Sequence, residues 1–157
     1  DAMTRGLEKY QRMAQRNEKI NHKEIDLIND SYNANPRSMT EALKTLDSFK
    51  TQGRRIFVIG DMLELGDRSI TAHQKLGEEI AASKTNILIA LGKLASLSAK
   101  SAQALAGEKI QILELASHQA AAEFLTQEAV SGDCVMFKGS RGAAMEKVLQ
   151  IFMESKN

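Results

Sequence analysis

Five short apolar runs, each followed by a segment of helical period, constrain this chain more than any other feature it has. They are IDLIND (25–30), RIFVIGD (55–61), NILIALG (86–92), KIQILEL (109–115) and CVMFKG (134–139). Each is nearly continuous in Ile, Leu, Val or Phe, the pattern of strands covered on both faces. Between them, residues 36–50 place Met39, Leu43, Leu46 and Phe49 on one helical face. Residues 70–83 do the same with Ile70, His73, Leu76, Gly77 and Ile80, and 93–106, 117–129 and 143–154 are amphipathic or Ala-rich in the same way. Strand then helix, repeated, predicts an α/β fold: a doubly wound, mainly parallel sheet of about five or six strands, flanked by helices and joined by right-handed crossovers. Residues 1 to 24 stand outside this alternation, with QRNEKINHKE (15–24) expected as a loop or hairpin.

Composition narrows the function. The 157 residues suit one domain with a short appendage, and 43% hydrophobic content is enough for a core without staples. Basic and acidic residues balance at 21 against 20, so there is no electrostatic case for nucleic acid or an anionic membrane surface. Aromatics are 4% with no Trp, which argues against a base-stacking platform. No stretch reaches the roughly 18 apolar residues of a membrane span. The single cysteine, Cys134, lies in an apolar run and reads as a buried strand thiol in a reducing compartment. The first residues lack both a starting Met and an apolar signal core, as expected of a cut end.

In a doubly wound sheet, ligands sit at the carboxyl ends of the strands. Three of the five runs deliver polar chemistry there: NDSYNAN (29–35), GDMLE (60–64) and KGSRG (138–142). In the first, Asn35 is placed to cap the helix that Pro36 opens. Asp30, Tyr32 and Asn33 are then either turn scaffold or site, and both readings stand. In the second, Asp61 could meet a cation, a ribose or a basic side chain, or simply bind local amides. Its flanking glycines, Gly60 and Gly66, permit a close approach and a positive-φ exit. In the third, Lys138 and Arg141 beside a glycine-rich helix start read either as a Gly-rich turn with solvated charges or, the favoured reading, as a carboxylate or phosphate site. No G-x-G-x-x-G is present, which weighs against a dinucleotide domain. His73 reads as a packed or capping residue, and His22 and His118 as loop and helix-start residues. The histidines have no metal-ligand spacing, so no metal site is expected.

LINDSYNANPRSM, GDMLELG, AHQKLG and KGSRG followed by AMEKV occur in this order, and together they resemble the C-terminal domain of the Mur ligases. The likeness is to the branch that adds D-alanyl-D-alanine to UDP-N-acetylmuramoyl-tripeptide in bacterial peptidoglycan synthesis. It implies a Rossmann-like domain at 25–157, with 1–24 as a linker or the end of a preceding ATPase domain. It also implies a cytoplasmic enzyme that forms an amide through an acyl phosphate, using ATP and Mg²⁺. Arg12 and Asp30 match residues that reach ATP, although Gln11 stands where the family often has Gly before that arginine. Tyr32, Asn33, Asn35, Asp61, Lys138, Ser140 and Arg141 match the cleft and the amino-substrate side.

The chain has no G-x-x-x-x-G-K-[ST] phosphate loop, a part that phosphoryl transfer needs. The resemblance therefore implies no catalytic residue within this chain alone. Its partners for chemistry would be missing N-terminal and central domains, which hold most of the nucleotide, and the isolated chain would be inert. Two rivals remain: another amino-acid ligase of the same superfamily, and a free-standing module that binds a small anion at KGSRG.

Overall fold

The computed structural model describes residues 2–7 and 15–156. Its sheet contains β1 (Glu18–His22), β2 (Ile25–Asp30), β3 (Arg55–Ile59), β4 (Ile87–Leu91), β5 (Gln111–Leu115) and β6 (Cys134–Lys138), in the order β1-β2-β6-β3-β4-β5. All neighbours run parallel except β1, which is antiparallel to β2. The helices are α1 (Pro36–Ser48), α2 (Ser69–Ala81), α3 (Lys93–Ala106), α4 (His118–Glu128) and α5 (Glu146–Glu154). This is the mainly parallel α/β architecture that the alternation predicts.

The expected loop or hairpin is a hairpin. His22 pairs with Ile25, and the two residues between them, Lys23 and Glu24, have φ of 51° and 63°. Two positive φ values in a two-residue connection are the type I′ pattern, whose twist matches the flanking strands. Residues 18–22 thus belong to the sheet, as its polar edge.

Side-chain alternation builds two cores. Phe57, Ile59, Ile28 and Met136 pack under α1, α2 and α3, while Ile56, Val58, Leu27 and Phe137 pack under α4 and α5. The handedness rule explains the split. The crossovers β2→β3, β3→β4 and β4→β5 all advance in one direction, so their helices share a face. The return from β5 to β6 reverses direction and puts α4 on the other face. The strand that returns, β6, is inserted between β2 and β3.

Four sequence expectations are corrected. The fourth apolar run is only partly covered: β5 is the sheet edge, with Ile112 half-buried on one face, Leu113 and Leu115 on the other, and Gln111 and Glu114 exposed. Ile70 is 58% exposed because it lies in the first turn of α2, beyond the part that reaches the sheet. Phe49 follows α1 as its C-cap in extended backbone. The last helix begins at Glu146 rather than 143, because a 3-10 turn at Arg141–Ala143 and a left-handed Ala144 (φ 51°) intervene. No helix among the described residues is long and apolar enough to cross a membrane.

The amino ends of β3 and β6 are tied by Arg54 and the fully buried Asp133. The Asp133 carboxylate accepts from the Arg54 guanidinium at 2.7 Å and from the Arg54 and Val130 amides at 2.9 and 3.0 Å. Burial alone would raise the Asp133 carboxyl, but the Arg54 side chain and these two amides outweigh it and hold it below the ordinary value. Cys134, next along, is buried, and burial is the main cause pushing its thiol up to about 12, so it is an inert core sulfur at neutral pH.

A depressed folded-state carboxyl stabilises above its unfolded value of about 3.9, and the contribution is lost as pH falls through the folded one. Asp133→Asn is therefore expected to cost about 1–3 kcal/mol at neutral pH in urea denaturation, by the loss of charged hydrogen bonds. The gap from wild type should begin to narrow below about pH 4 and close as pH falls on through the depressed folded value. A gap independent of pH would contradict this.

Candidate functional site

The three polar strand ends read from the sequence belong to β2, β3 and β6, which are neighbours at the centre of the sheet. The register places Lys138 opposite both Asp30 and Ile59, so all three loops leave the sheet at one level. Helix α1 leaves β2 toward one face and α5 follows β6 on the other. Such a reversal opens a crevice at the carboxyl edge, the general ligand position of doubly wound sheets.

Lys138 closes the floor of that crevice. Its side chain is 3% exposed, and Nζ donates to Asp30 Oδ2 at 3.0 Å and to the Asn33 carbonyl at 3.0 Å. An ammonium this deep persists only with a counter-charge and filled hydrogen bonds. The other Asp30 oxygen, Oδ1, accepts from the Asn17 amide at 3.3 Å. Lys138 therefore ties the end of β6 to the loop after β2, and its charge is matched by Asp30. In KGSRG the charge that faces solvent is on Arg141, and the backbone after it forms a 3-10 turn instead of entering a helix at once.

Ser140 joins all three loops. Its Oγ accepts from the Leu63 amide at 2.7 Å and donates to the Ala34 carbonyl at 3.3 Å, and its amide donates to the Asp61 carbonyl at 2.9 Å. Gly60 permits this approach: a Cβ there would lie 2.7 Å from both Ala143 Cβ and Met145 Sδ. Asp61 turns toward the scaffold. Its Oδ1 accepts from the Ala95 amide at 2.7 Å, in the first turn of α3. The residue before α3, Gly92, has φ of 115° and supplies no side-chain cap, and any Cβ on it would strike the Asp61 carboxylate. Asp61 thus caps α3 from another loop. His73 is fully buried, with Nε2 accepting from the Met62 amide at 3.0 Å and Nδ1 donating to the Ser69 carbonyl at 2.6 Å.

The loop after β2 forms the wall. Asn35 caps α1 in a capping box: its Oδ1 accepts from the Ser38 amide at 2.9 Å, and its own amide donates to Ser38 Oγ at 2.9 Å. The Tyr32 ring lies under two guanidiniums, Arg16 at 4.8 Å and Arg141 at 5.2 Å. Such contacts are worth about 0.5–1 kcal/mol each at exposed sites and hold the two arginines in place. A cleft of about 480 Å³ opens beside the ring, lined in part by Arg16, Asp30, Tyr32, Asn33, Asn35, Arg37, Glu41 and Lys138. With Lys138 and Asp30 matched, Arg16 and Arg37 outnumber Glu41, so the cleft favours an anion.

Of the residues expected from sequence, this edge gathers Asp30, Tyr32, Asn33, Asn35, Lys138, Ser140 and Arg141. Asp61 is adjacent but engaged with α3, and Arg12 lies outside the described residues. Arg16 and Arg37 were not among the expected residues. Arg37 follows the helix-opening Pro36 and could have been noticed. Arg16 carries no local signal, because the β1–β2 hairpin brings it there. His118, at the start of α4, approaches the Ala143 carbonyl through Nε2 at 2.7 Å, and His22 packs edge-on against Phe152 at 5.6 Å. No cluster of metal-ligating side chains occurs among the described residues.

Comparisons with known proteins agree with this geometry. The family model described as Mur ligase, glutamate ligase domain, matches residues 11–141. The UDP-N-acetylmuramoyl-tripeptide–D-alanyl-D-alanine ligase of Bacillus subtilis is 34% identical over 131 residues, 83% of this chain and 28% of the relative. A crystal structure of MurF from Acinetobacter baumannii superposes with a TM-score of 0.79 at 29% identity, covering 90% of this chain and 31% of that one. The MurF ligase of Thermotoga maritima in complex with ADP gives a TM-score of 0.74 at 26% identity, covering 89% of this chain and 30% of that one. The chain thus spans under a third of the length of these relatives.

The capping role of Asp61 can be measured directly. Asp61→Ala is expected to lower stability by about 1 kcal/mol, the usual cost of losing an N-cap acceptor. Asp61→Asn, which keeps an acceptor oxygen, should cost less, and equal costs for the two in chemical denaturation would count against the cap.

Proposed function

The chain belongs to the Mur ligase family, as its glutamate ligase domain, and we propose that it is the C-terminal part of an ATP-dependent ligase adding D-alanyl-D-alanine to UDP-N-acetylmuramoyl-tripeptide. On this reading residues 25–157 are the domain proper, with β1 drawn into its sheet. Residues 1–24 lead from a preceding ATPase domain, and the whole enzyme works in the bacterial cytoplasm. The relatives' greater length and the lack of a phosphate loop in this sequence support that division.

The observation that carries the proposal is the meeting of the loops after β2 and β6 at one crevice, with two exposed arginines, Arg16 and Arg141, over the Tyr32 ring between them. The cleft beside Tyr32 fits a polyanion in its charge, and it exposes part of Asp30, whose side chain is 21% accessible. When bound, ATP with Mg²⁺ supplies the phosphoryl group that activates the substrate carboxylate, the metal being held by domains outside this chain. In this chain, Asp30 and Arg12 would face the nucleotide. Arg141, exposed and braced on Tyr32, would hold the carboxylate of the incoming dipeptide, a charge and shape that a guanidinium matches. Lys138 and Ser140 keep that arginine's loop in register with the nucleotide-facing one.

Two measurements test this. The 157-residue chain alone should release no phosphate from ATP and form no amide; turnover by the chain alone would contradict the proposal. In the whole ligase, Arg141→Ala should lower kcat/KM for D-alanyl-D-alanine by about 10–100-fold, the value of a lost charged hydrogen bond. Unchanged kinetics would remove Arg141 from the site. Preference for a different amino substrate would favour another ligase of the superfamily, and tight binding of the dipeptide by the chain alone would favour a free-standing module.

A further inference from the structure

His73 is fully buried, out of reach of any ligand in the crevice, yet its imidazole is a polar group in the core. The ring is fully buried in α2, and both nitrogens are engaged. A carbonyl can only accept, so the 2.6 Å contact to Ser69 O fixes the hydrogen on Nδ1. The Met62 amide can only donate, so Nε2 at 3.0 Å must be bare. The side chain is therefore an oriented acceptor aimed at one backbone N–H. Its own carbonyl is held by Ser98 Oγ at 2.6 Å, which ties this turn of α2 to α3.

What the acceptor fixes is the segment that carries Ser140. The Asp61 carbonyl accepts from the Ser140 amide, the Met62 amide binds His73, and the Leu63 amide binds Ser140 Oγ. Three successive residues are pinned, with His73 at the middle one, and Ser140 directly precedes Arg141. Without the bond to Met62, the segment would keep only the tie of Asp61 to α3 and would lose its anchor on α2. Arg141 would keep its charge but lose its fixed place over Tyr32.

We propose that His73 is a positioning residue, which sets the KGSRG loop through Met62, Leu63 and Ser140 and thereby the placement of Arg141 for the amino substrate. This rests on the ligase reading above. The substitutions His73→Leu, which fills the space without an acceptor, and His73→Gln, whose Oε1 can reach the Met62 amide, separate positioning from packing. In the whole ligase His73→Leu should raise KM for D-alanyl-D-alanine at least fivefold while KM for ATP stays within twofold, and His73→Gln should restore most of the loss.

In the 157-residue chain, the Leu63 and Ser140 amide resonances should shift in His73→Leu and return toward wild type in His73→Gln. The amide readout does not depend on the substrate, so it decides the positioning claim even if the ligase takes another amino acid. A folded His73→Leu with wild-type KM values and unmoved Leu63 and Ser140 amides would overturn the proposal, whatever its melting temperature. If His73→Leu does not fold, Ser140→Ala removes the next bond along the chain of contacts, from the Leu63 amide to Ser140 Oγ. It should raise the dipeptide KM alike, and a wild-type KM there would overturn the proposal.

Discussion

A buried ammonium has to be answered, and in this chain the answer organises the site. Lys138 ends the strand inserted at the centre of the sheet, and its side chain is almost wholly buried. Its nearest compensation is the next strand's last residue, Asp30, with the Asn33 carbonyl filling a further hydrogen bond. That requirement fixes the loop after β2 against the end of β6. It also draws in Asn17, through the second oxygen of Asp30, and with it the neighbouring Arg16. Two exposed arginines, Arg16 and Arg141, share the ring of Tyr32 because the pair beneath brings their loops together. Among the described residues no buried side-chain polar atom lacks a partner, so this polar edge is fully satisfied.

The loop GDML plays the complementary part. It has no charge pair of its own, and it holds through directed hydrogen bonds: to Lys138 and Ser140 on one side, and to α2 and α3 on the other. Two close approaches make this possible, Gly60 against Ala143 and Met145, and Gly92 against Asp61. The edge is thus rigid where it meets the helices and polar where it meets solvent, the division that a preorganised site requires.

Much of this was legible in the sequence. Near-continuous apolar runs announce buried parallel strands, and Asn35-Pro36 announces a capped helix start, because both signals are local. The motif loops were legible too, but their adjacency was not. That β6 lies between β2 and β3 follows from the reversal after β5, and strand order is a long-range property that no local pattern encodes. For the same reason Lys138 read as an available cation, when its carboxylate partner lies 108 residues away. Asp61 read as a possible ligand-binding group because the amide it caps, that of Ala95, lies 34 residues later in the chain. Ile70 and the run 109–115 misled in a simpler way: both have the right periodicity, but one falls short of the sheet and the other lies at its edge.

The loop after β2 and the loop after β6 form one unit, held by the Lys138–Asp30 pair. A double-mutant cycle with Asp30→Asn, Lys138→Met and the double variant, followed by chemical denaturation of the chain, measures that coupling. A buried pair with charged hydrogen bonds should give a coupling energy of about 2 kcal/mol, with the double variant more stable than the sum of the single losses predicts. Losses that add to within about 0.3 kcal/mol would show two independent residues and contradict the account.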